Sequence, residues 1–218
     1  IGTLNMAGKI APALAMGNAV VVKPPVQDPL GSRVLREALE AAGIPPGVVN
    51  LVVADTVEAA EAITTSPDVD MVSFTGSTAV GQRIAEVAGR GMKRLLLELG
   101  GKGAAIVFDD ADIENVIGNV SSTWTFHSGQ ICTSPTRIVV QRGVYDEVVS
   151  KLAGMAPHLK VGDPLERDTV VGPVITEVHR DRVEALIRTA TDEGASLAAG
   201  GKRPEVDRGF YVAPTLVV

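Results

Sequence analysis

The chain has 218 residues, 45% of them hydrophobic and 21% charged, the balance of a globular protein with one large or two small domains. A net charge of -6 and a pI near 5.1 argue against nucleic acid or an anionic membrane as the main partner, since both need a basic face. A single cysteine, Cys132, can form no internal disulfide, so nothing points to an oxidising compartment.

The longest apolar stretch, residues 10–22, is interrupted by Pro12, Gly17 and Asn18 and is too short to span a bilayer. Its Ala13-Leu14-Ala15 could be misread as a signal cleavage site, but the Lys23-Pro24-Pro25 that follows reads as a strand end. The chain opens without methionine and closes on Leu216-Val217-Val218; it reads as an internal fragment of a longer protein. Residues 19–22 are small or β-branched, and the run closes on Lys23 before Pro24-Pro25, which fits a short buried strand. Leu30, Val34, Leu35, Ala38, Leu39 and Ala42 recur at helical spacing, and Gly43 sits where a C-terminal cap belongs. Residues 48–53 predict a second strand, 56–64 a short helix and 71–74 a third strand. After a sharp turn over 75–78, Val80, Ile84, Val87 and Ala88 give the next helix its buried face. Residues 94–99 and 104–108 predict further strands, and the glycine-rich 100–103 between them is the expected hinge. Ile113, Val116, Ile117, Val120 and Trp124 stripe a helix that leads to the cysteine. Strand 138–141 follows, then a helix striped by Val144, Val148, Val149, Leu152 and Met155. The loop-rich 157–176 precedes a last helix, striped by Val183, Leu186, Ile187 and Ala190 and closed by Gly194. Strands alternating with helices at this rhythm imply βαβ units and a parallel sheet covered on both faces.

Three features stand near strand ends, where open α/β sheets place ligands. Phe74-Thr75-Gly76-Ser77-Thr78 joins a strand to a helix; Gly76 admits a close backbone approach, and Ser77 can cap a helix whose N-terminus attracts phosphate. It is neither a Gly-x-Gly-x-x-Gly fingerprint nor a Walker A loop, and a capped turn without a ligand is an equal reading. Glu98 lies inside the apolar run Leu95–Leu99; buried, it would have its pKa raised toward that of a general base, whereas simple alternation would put it on the wet face. Cys132 follows a helix at a helix-like turn, where backbone N–H groups would favour the thiolate. On its own, a free cysteine is more often a buried small hydrophobe than a nucleophile. His127, His158 and His179 are scattered without metal-ligand spacing, so no metal site is expected. His127 close before Cys132 invites a hydrolase dyad, but a surface or capping histidine is the commoner case. For Trp124 and Phe126, core packing is the more frequent role of aromatics at helical spacing.

Taken together, these residues resemble the aldehyde dehydrogenase family along essentially the whole chain. The likeness runs through Pro12-Ala13-Leu14-Ala15 with Gly17-Asn18, Gly43-x-Pro45-x-Gly47-Val48-x-Asn50, Phe74-Thr75-Gly76-Ser77-Thr78, Glu98-Leu99-Gly100-Gly101-Lys102, Gly129-Gln130-x-Cys132 and Gly209-Phe210-Tyr211-x-x-Pro214-Thr215. The resemblance implies an α/β fold: a partial, Rossmann-like coenzyme domain with a parallel sheet over residues 1–100, then a partial α/β catalytic domain over 101–218. It implies Cys132 as nucleophile, Glu98 as general base and Lys9 in proton movement near that base. For the cofactor it implies Lys23 at the adenosine ribose, Ser77 at the pyrophosphate and Thr75 near the nicotinamide, with Gly76 and Leu99 also among the cofactor-binding residues. For Trp124 and Phe126 it implies the other reading, lining of a substrate tunnel.

The departures from the family pattern carry expectations of their own. Val26 stands where a glutamate usually binds the ribose hydroxyls, so the cofactor is NAD or NADP rather than strictly NAD. Ala54 replaces a glycine near the adenine site. The oxyanion-hole asparagine falls one residue before Ile1 and is not Asn5; the C-terminal Glu-x-Phe-Gly-Pro motif and the oligomerisation hairpin and tail are absent. The expected activity is therefore oxidation of a small-molecule aldehyde to an acid in a cytoplasmic homo-oligomer, dimer or tetramer, with no nucleic-acid or membrane partner. The isolated piece is expected to be inactive. A CoA-acylating relative and a structural protein on the same fold are the alternatives; an intact Glu98 with Cys132 disfavours both.

Overall fold

The computed structural model describes residues 2–218. The chain packs into two compact units, Ile1–Gly100 and Gly101–Val218. In the first, helix α1 (Gly2–Ala15) comes before strand β1 (Val20–Val22), helix α2 (Leu30–Ala41), strand β2 (Val49–Leu51), helix α3 (Val57–Thr65), strand β3 (Met71–Gly76), helix α4 (Thr78–Arg90) and strand β4 (Arg94–Leu99). In the second, strand β5 (Ala104–Val107), helix α5 (Ile113–Thr125) and strand β6 (Arg137–Val140) are followed by helix α6 (Arg142–Met155), helix α7 (Glu177–Asp192) and strands β7 (Leu197–Ala199) and β8 (Leu216–Val217). Short 3-10 turns cover Phe126–Gly129 and Ala156–His158. Among the described residues no helix is long and apolar enough to cross a membrane.

Each strand–helix–strand run closes into a parallel pair. Val20 to Val22 lie beside Val49 to Leu51, Met71 to Gly76 beside Arg94 to Leu99, and Ala104 to Val107 beside Arg137 to Val140. The last pair, β7 with β8, is antiparallel. The continuous sheet expected from the sequence is thus realised, among the described residues, as separate two-stranded ladders. One face of these ladders stays open: Val21, Leu96, Ile106 and Val139 are exposed. The physical reason is that a crossover helix covers only the face it packs on. The second unit has the better core, where Val107, Ile117, Val120, Val148 and Leu152 are buried together and Trp124, Ile138, Val140 and Leu216 pack against them.

Helix ends follow local chemistry. Thr56, Ser77, Asp112 and Thr176 each accept a hydrogen bond from a backbone N–H of the first turn they precede. The C-termini of α1, α2 and α7 close on Gly17, Gly43 and Gly194 at positive φ, each followed by the paired backbone bonds of a Schellman motif. Helix α4 ends in the same way, with Met92 N–H bonding Gly89 O and Lys93 N–H bonding Ala88 O, but the left-handed residue is Met92, φ 54° and 91% exposed. A side chain in that conformation costs about 1–2 kcal/mol. Met92→Gly is expected to stabilise the chain by about 0.5–1 kcal/mol once the extra unfolded-state freedom of glycine is subtracted, read as a higher denaturant midpoint at unchanged m-value.

Helix α1 was not foreseen, because Pro12 and Gly17 masked its period. The helix buries Met6 and Ile10 one turn apart, with Pro12 held inside it. The stripe expected on α2 is half-buried at Leu35 and Leu39, whereas Leu30 and Val34 are exposed and Ser32 is buried in their place, its hydroxyl donating to Pro29 O. On α7 Leu186 likewise faces outward. On α2 the periodicity was right and the direction of the face was not; on α7 Val183, Ile187 and Ala190 are half-buried as expected.

Candidate active site

Strand β3 continues two residues past its expected end, so Thr75 and Gly76 are ladder residues rather than a turn. Paired residues of a parallel ladder point to the same side. Thr75 is therefore register partner of Glu98, and Gly76 of Leu99. Ser73, Thr75, Leu96 and Glu98 share one face; Phe74, Gly76, Leu97 and Leu99 share the other.

Strand alternation carries Glu98 to the exposed side, so the burial weighed from its apolar neighbours is not found. Its face is organised instead by Lys9 of α1, whose Nζ donates to Ser73 Oγ at 2.6 Å. Burial pushes the Lys9 ammonium below the usual lysine range, and the nearby Glu98 carboxylate pulls it part of the way back. Ser73 was missed in the sequence. Its signal was the two-residue spacing to Thr75, which puts it on the Glu98 face once the register is known.

Because the Lys9 pKa is lower in the folded state than in the unfolded chain, the unfolded chain binds more protons between the two values. Lys9 is thus a destabilising group whose penalty is fully present below its folded pKa and fades as pH rises toward about 10.4. Wild type minus Lys9→Met unfolding free energy should rise across that alkaline window; a flat difference would remove Lys9 as a perturbed group.

On the opposite face α4 is seated tightly. A Cβ built on Gly81 would lie 2.6 Å from Leu99 Cδ2, so the Leu99 side chain packs under the helix and is not gathered with Thr75 and Glu98. At Gly76 a Cβ would lie 2.4 Å from the Phe74 ring, so any larger residue at the strand end would have to push that ring aside. Ser77 then caps α4 by accepting from Val80 N–H at 3.4 Å. The Thr75 hydroxyl is buried without a hydrogen-bond partner. An orphaned hydroxyl at the end of a strand, beside a glycine and a helix N-terminus, suits a ligand that carries both polar and phosphate groups. Lys23 follows β1, half-buried, with Nζ donating to Pro24 O at 3.4 Å; Val26 is exposed.

In the second unit Cys132 is a free, exposed thiol. It lies in the turn between Phe126–Gly129 and β6, and no helix begins there, which corrects the expectation that a helix start would surround it. The turn is strained. His127 and Ser128 take φ values of 49° and 54°, and Gly129 takes 78°. Two non-glycine residues in that region cost about 1–3 kcal/mol each. Phe126, expected in the core, is exposed and packs edge-on against the His127 ring at 5.1 Å. Trp124 does reach the core and donates to Thr215 O at 3.2 Å. A cavity of about 540 Å³ in this unit is lined by Trp124, Gln130, Val148, Leu152 and Ile187 and does not include Cys132. Among the described residues no cluster of His, Cys, Asp or Glu could hold a metal ion.

The first unit thus presents a strand-end threonine whose register partner is Glu98, and the second an exposed thiol. The aldehyde dehydrogenase family model matches residues 2–218, and the chain belongs to that family. It is 48% identical to geranial dehydrogenase of Castellaniella defragrans over 95% of its own length and 43% of that protein. It is 38% identical to betaine aldehyde dehydrogenase of Bacillus subtilis over 98% of its length and 44% of that protein. Among solved structures, PnpE in complex with nicotinamide adenine dinucleotide superposes with a TM-score of 0.91 at 40% identity, covering 96% of this chain and 44% of that one. Betaine aldehyde dehydrogenase of Staphylococcus aureus in complex with NAD+ gives 0.91 at 38% identity, covering 96% and 42%. The chain therefore spans less than half the length of these relatives.

Proposed function

We propose that the whole protein oxidises an aldehyde to a carboxylic acid with NAD or NADP. The observation that carries this reading is the free, exposed Cys132 within the Gly129-Gln130-Ile131-Cys132 turn of a family member. The Cys132 thiolate adds to the aldehyde carbon, forming a C–S bond and an oxyanion. The Cys132 backbone N–H and an asparagine outside these 218 residues stabilise that oxyanion, at about 3–4 kcal/mol per donor. Lys23 would hold the adenosine ribose, the N-terminus of α4 with Ser77 the pyrophosphate, and the Thr75 hydroxyl with Gly76 the nicotinamide end. When bound, that cofactor supplies the hydride acceptor that turns the thiohemiacetal into a thioester. Glu98 takes a proton from water, the water oxygen attacks the thioester carbon, and the acid leaves as the Cys132 thiolate is restored. Lys9, held by Ser73, moves the proton away from Glu98. The assembly is a homo-oligomer.

The test is to mix the full-length enzyme with a panel of aldehydes and oxidised cofactor and to measure reduced cofactor and acid. Equal amounts of the two are expected; no reduced cofactor with any aldehyde would sink the proposal. The 218 residues alone, without the asparagine, are expected to bring about no turnover. Val26 leaves the ribose hydroxyls without a carboxylate, so NADP is accepted alongside NAD. Val26→Glu is expected to weaken NADP relative to NAD by about tenfold, ~1.4 kcal/mol, through repulsion of the extra phosphate. Cofactor titrations on both proteins check this.

A further inference from the structure

We infer that Gln130 is the positioning residue for the nucleophile: its side-chain amide ties the strained turn that presents Cys132 to an anchored segment of the second unit. This inference rests on the reading of Cys132 as nucleophile. The turn has little to hold it by itself. His127, Ser128 and Gly129 are consecutive left-handed residues, a conformation that persists only where surrounding groups enforce it. Gln130 uses both ends of its amide. Nε2 donates to His127 O at 2.9 Å, on the carbonyl that also accepts from the Gln130 backbone N–H at 3.1 Å. Oε1 accepts from Ile175 N–H at 2.9 Å. Among the described residues, that last bond is the one hydrogen bond carrying from the turn 126–134 to a distant segment.

The segment it reaches is well fixed. Val174 is buried, and its N–H donates to Phe210 O at 2.7 Å. The Arg180 guanidinium lies 5.6 Å from the centre of the Phe210 ring, and the Arg180 side chain is itself buried and paired with Glu177 and Asp181. Thr176 caps α7 directly after Ile175. Gln130 therefore couples an exposed thiol two residues away to a buried anchor. The chemistry needs this: a nucleophile must reach the carbonyl carbon at a defined distance and angle, and a displacement of about 1 Å can cost 10²-fold. An exposed turn held only by its own backbone would sample other positions.

The experiment uses the full-length enzyme, with turnover expressed per Cys132 thiol, the thiol being titrated by iodoacetamide and its peptide identified by mass spectrometry. Gln130→Ala is expected to lower kcat about 10–100-fold while KM for aldehyde and cofactor stay within about threefold. Ile175→Pro removes the N–H at the other end of the bond, and the double variant should lose no more than the worse single. A kcat per thiol within twofold of the parent in Gln130→Ala overturns the inference, as does a double loss equal to the product of the singles. If Gln130→Ala does not fold, Ile175→Pro alone decides: it removes the N–H that Gln130 Oε1 accepts and leaves Gln130 in place, so a reduced kcat with unmoved KM values supports the role and a parental kcat overturns it. Cys132→Ser run in parallel separates the two readings. If it is inert while Gln130→Ala turns over normally, only the positioning role falls; if Cys132→Ser itself turns over, the nucleophile assignment falls with it.

Discussion

Cys132→Ser is expected to lower steady-state turnover of the full-length enzyme by about 10⁴-fold or more while leaving fold and cofactor affinity intact. The magnitude follows from chemistry: loss of a covalent nucleophile is among the largest single effects an enzyme shows. A thiol ionises near pH 8.5, so a fraction is thiolate at neutral pH, whereas a serine hydroxyl stays protonated without a dedicated base. Structure bounds the side effects. Cys132 is exposed, so exchanging sulfur for oxygen removes no core contact and should change stability by no more than about 0.5 kcal/mol. The candidate cofactor residues Lys23, Thr75, Gly76, Ser77 and Leu99 all belong to the unit Ile1–Gly100, whereas Cys132 belongs to Gly101–Val218. Kinetics with an isothermal cofactor titration therefore separate the effects: near-normal turnover would remove Cys132 as nucleophile, and a lost cofactor affinity would show that the variant disturbs more than the thiol.

Glu98→Gln is expected to keep a single burst of reduced cofactor and then to slow steady-state turnover by about 10²–10⁴-fold, the usual contribution of a positioned general base. The amide is the same size, and Glu98 is exposed on the last turn of the strand alternation, so β4 and its pairing with β3 should be unaffected. Without a carboxylate to take a proton from water, the thioester accumulates. The substitution also removes the charge that raises the Lys9 pKa, so the Lys9 ammonium should drop further below the lysine range. Rapid-mixing measurement of the burst, with titration of Lys9 by NMR, checks both. An unchanged steady state would remove Glu98 as the base; an unmoved Lys9 would show that the two groups do not interact.

These variants probe different halves of one proposed reaction, and Glu98 illustrates how its environment matters. A carboxylate among leucines suggested burial. The ladder shows that alternation suffices to bring Glu98 out to the face shared with Thr75, Ser73 and Lys9. The company of Glu98 on that face is polar, with no apolar shell around it.

The sequence by itself determined the element order between residues 19 and 194, the βαβ rhythm, the caps at Gly43, Ser77 and Gly194 and the residues that match the family, because these depend on local chemistry: a glycine that tolerates positive φ, a serine oxygen within reach of the next turn, an apolar period of two or 3.6. Cys132 stood out because it is the sole thiol, and Glu98 because a charge broke an apolar run. Tertiary structure alone decided the rest. The direction of the α2 face, the exposure of Leu30 and Val34, and the presence of α1 depended on what packs where. Pairing register decided that Thr75 faces with Glu98 while Leu99 turns under Gly81. Most of all, the link from Gln130 to Ile175 joins residues far apart in the chain, and no local pattern encodes which backbone N–H a glutamine amide will find. Local preferences act within a few residues; the position of a nucleophile is set by contacts that exist only once distant segments have met.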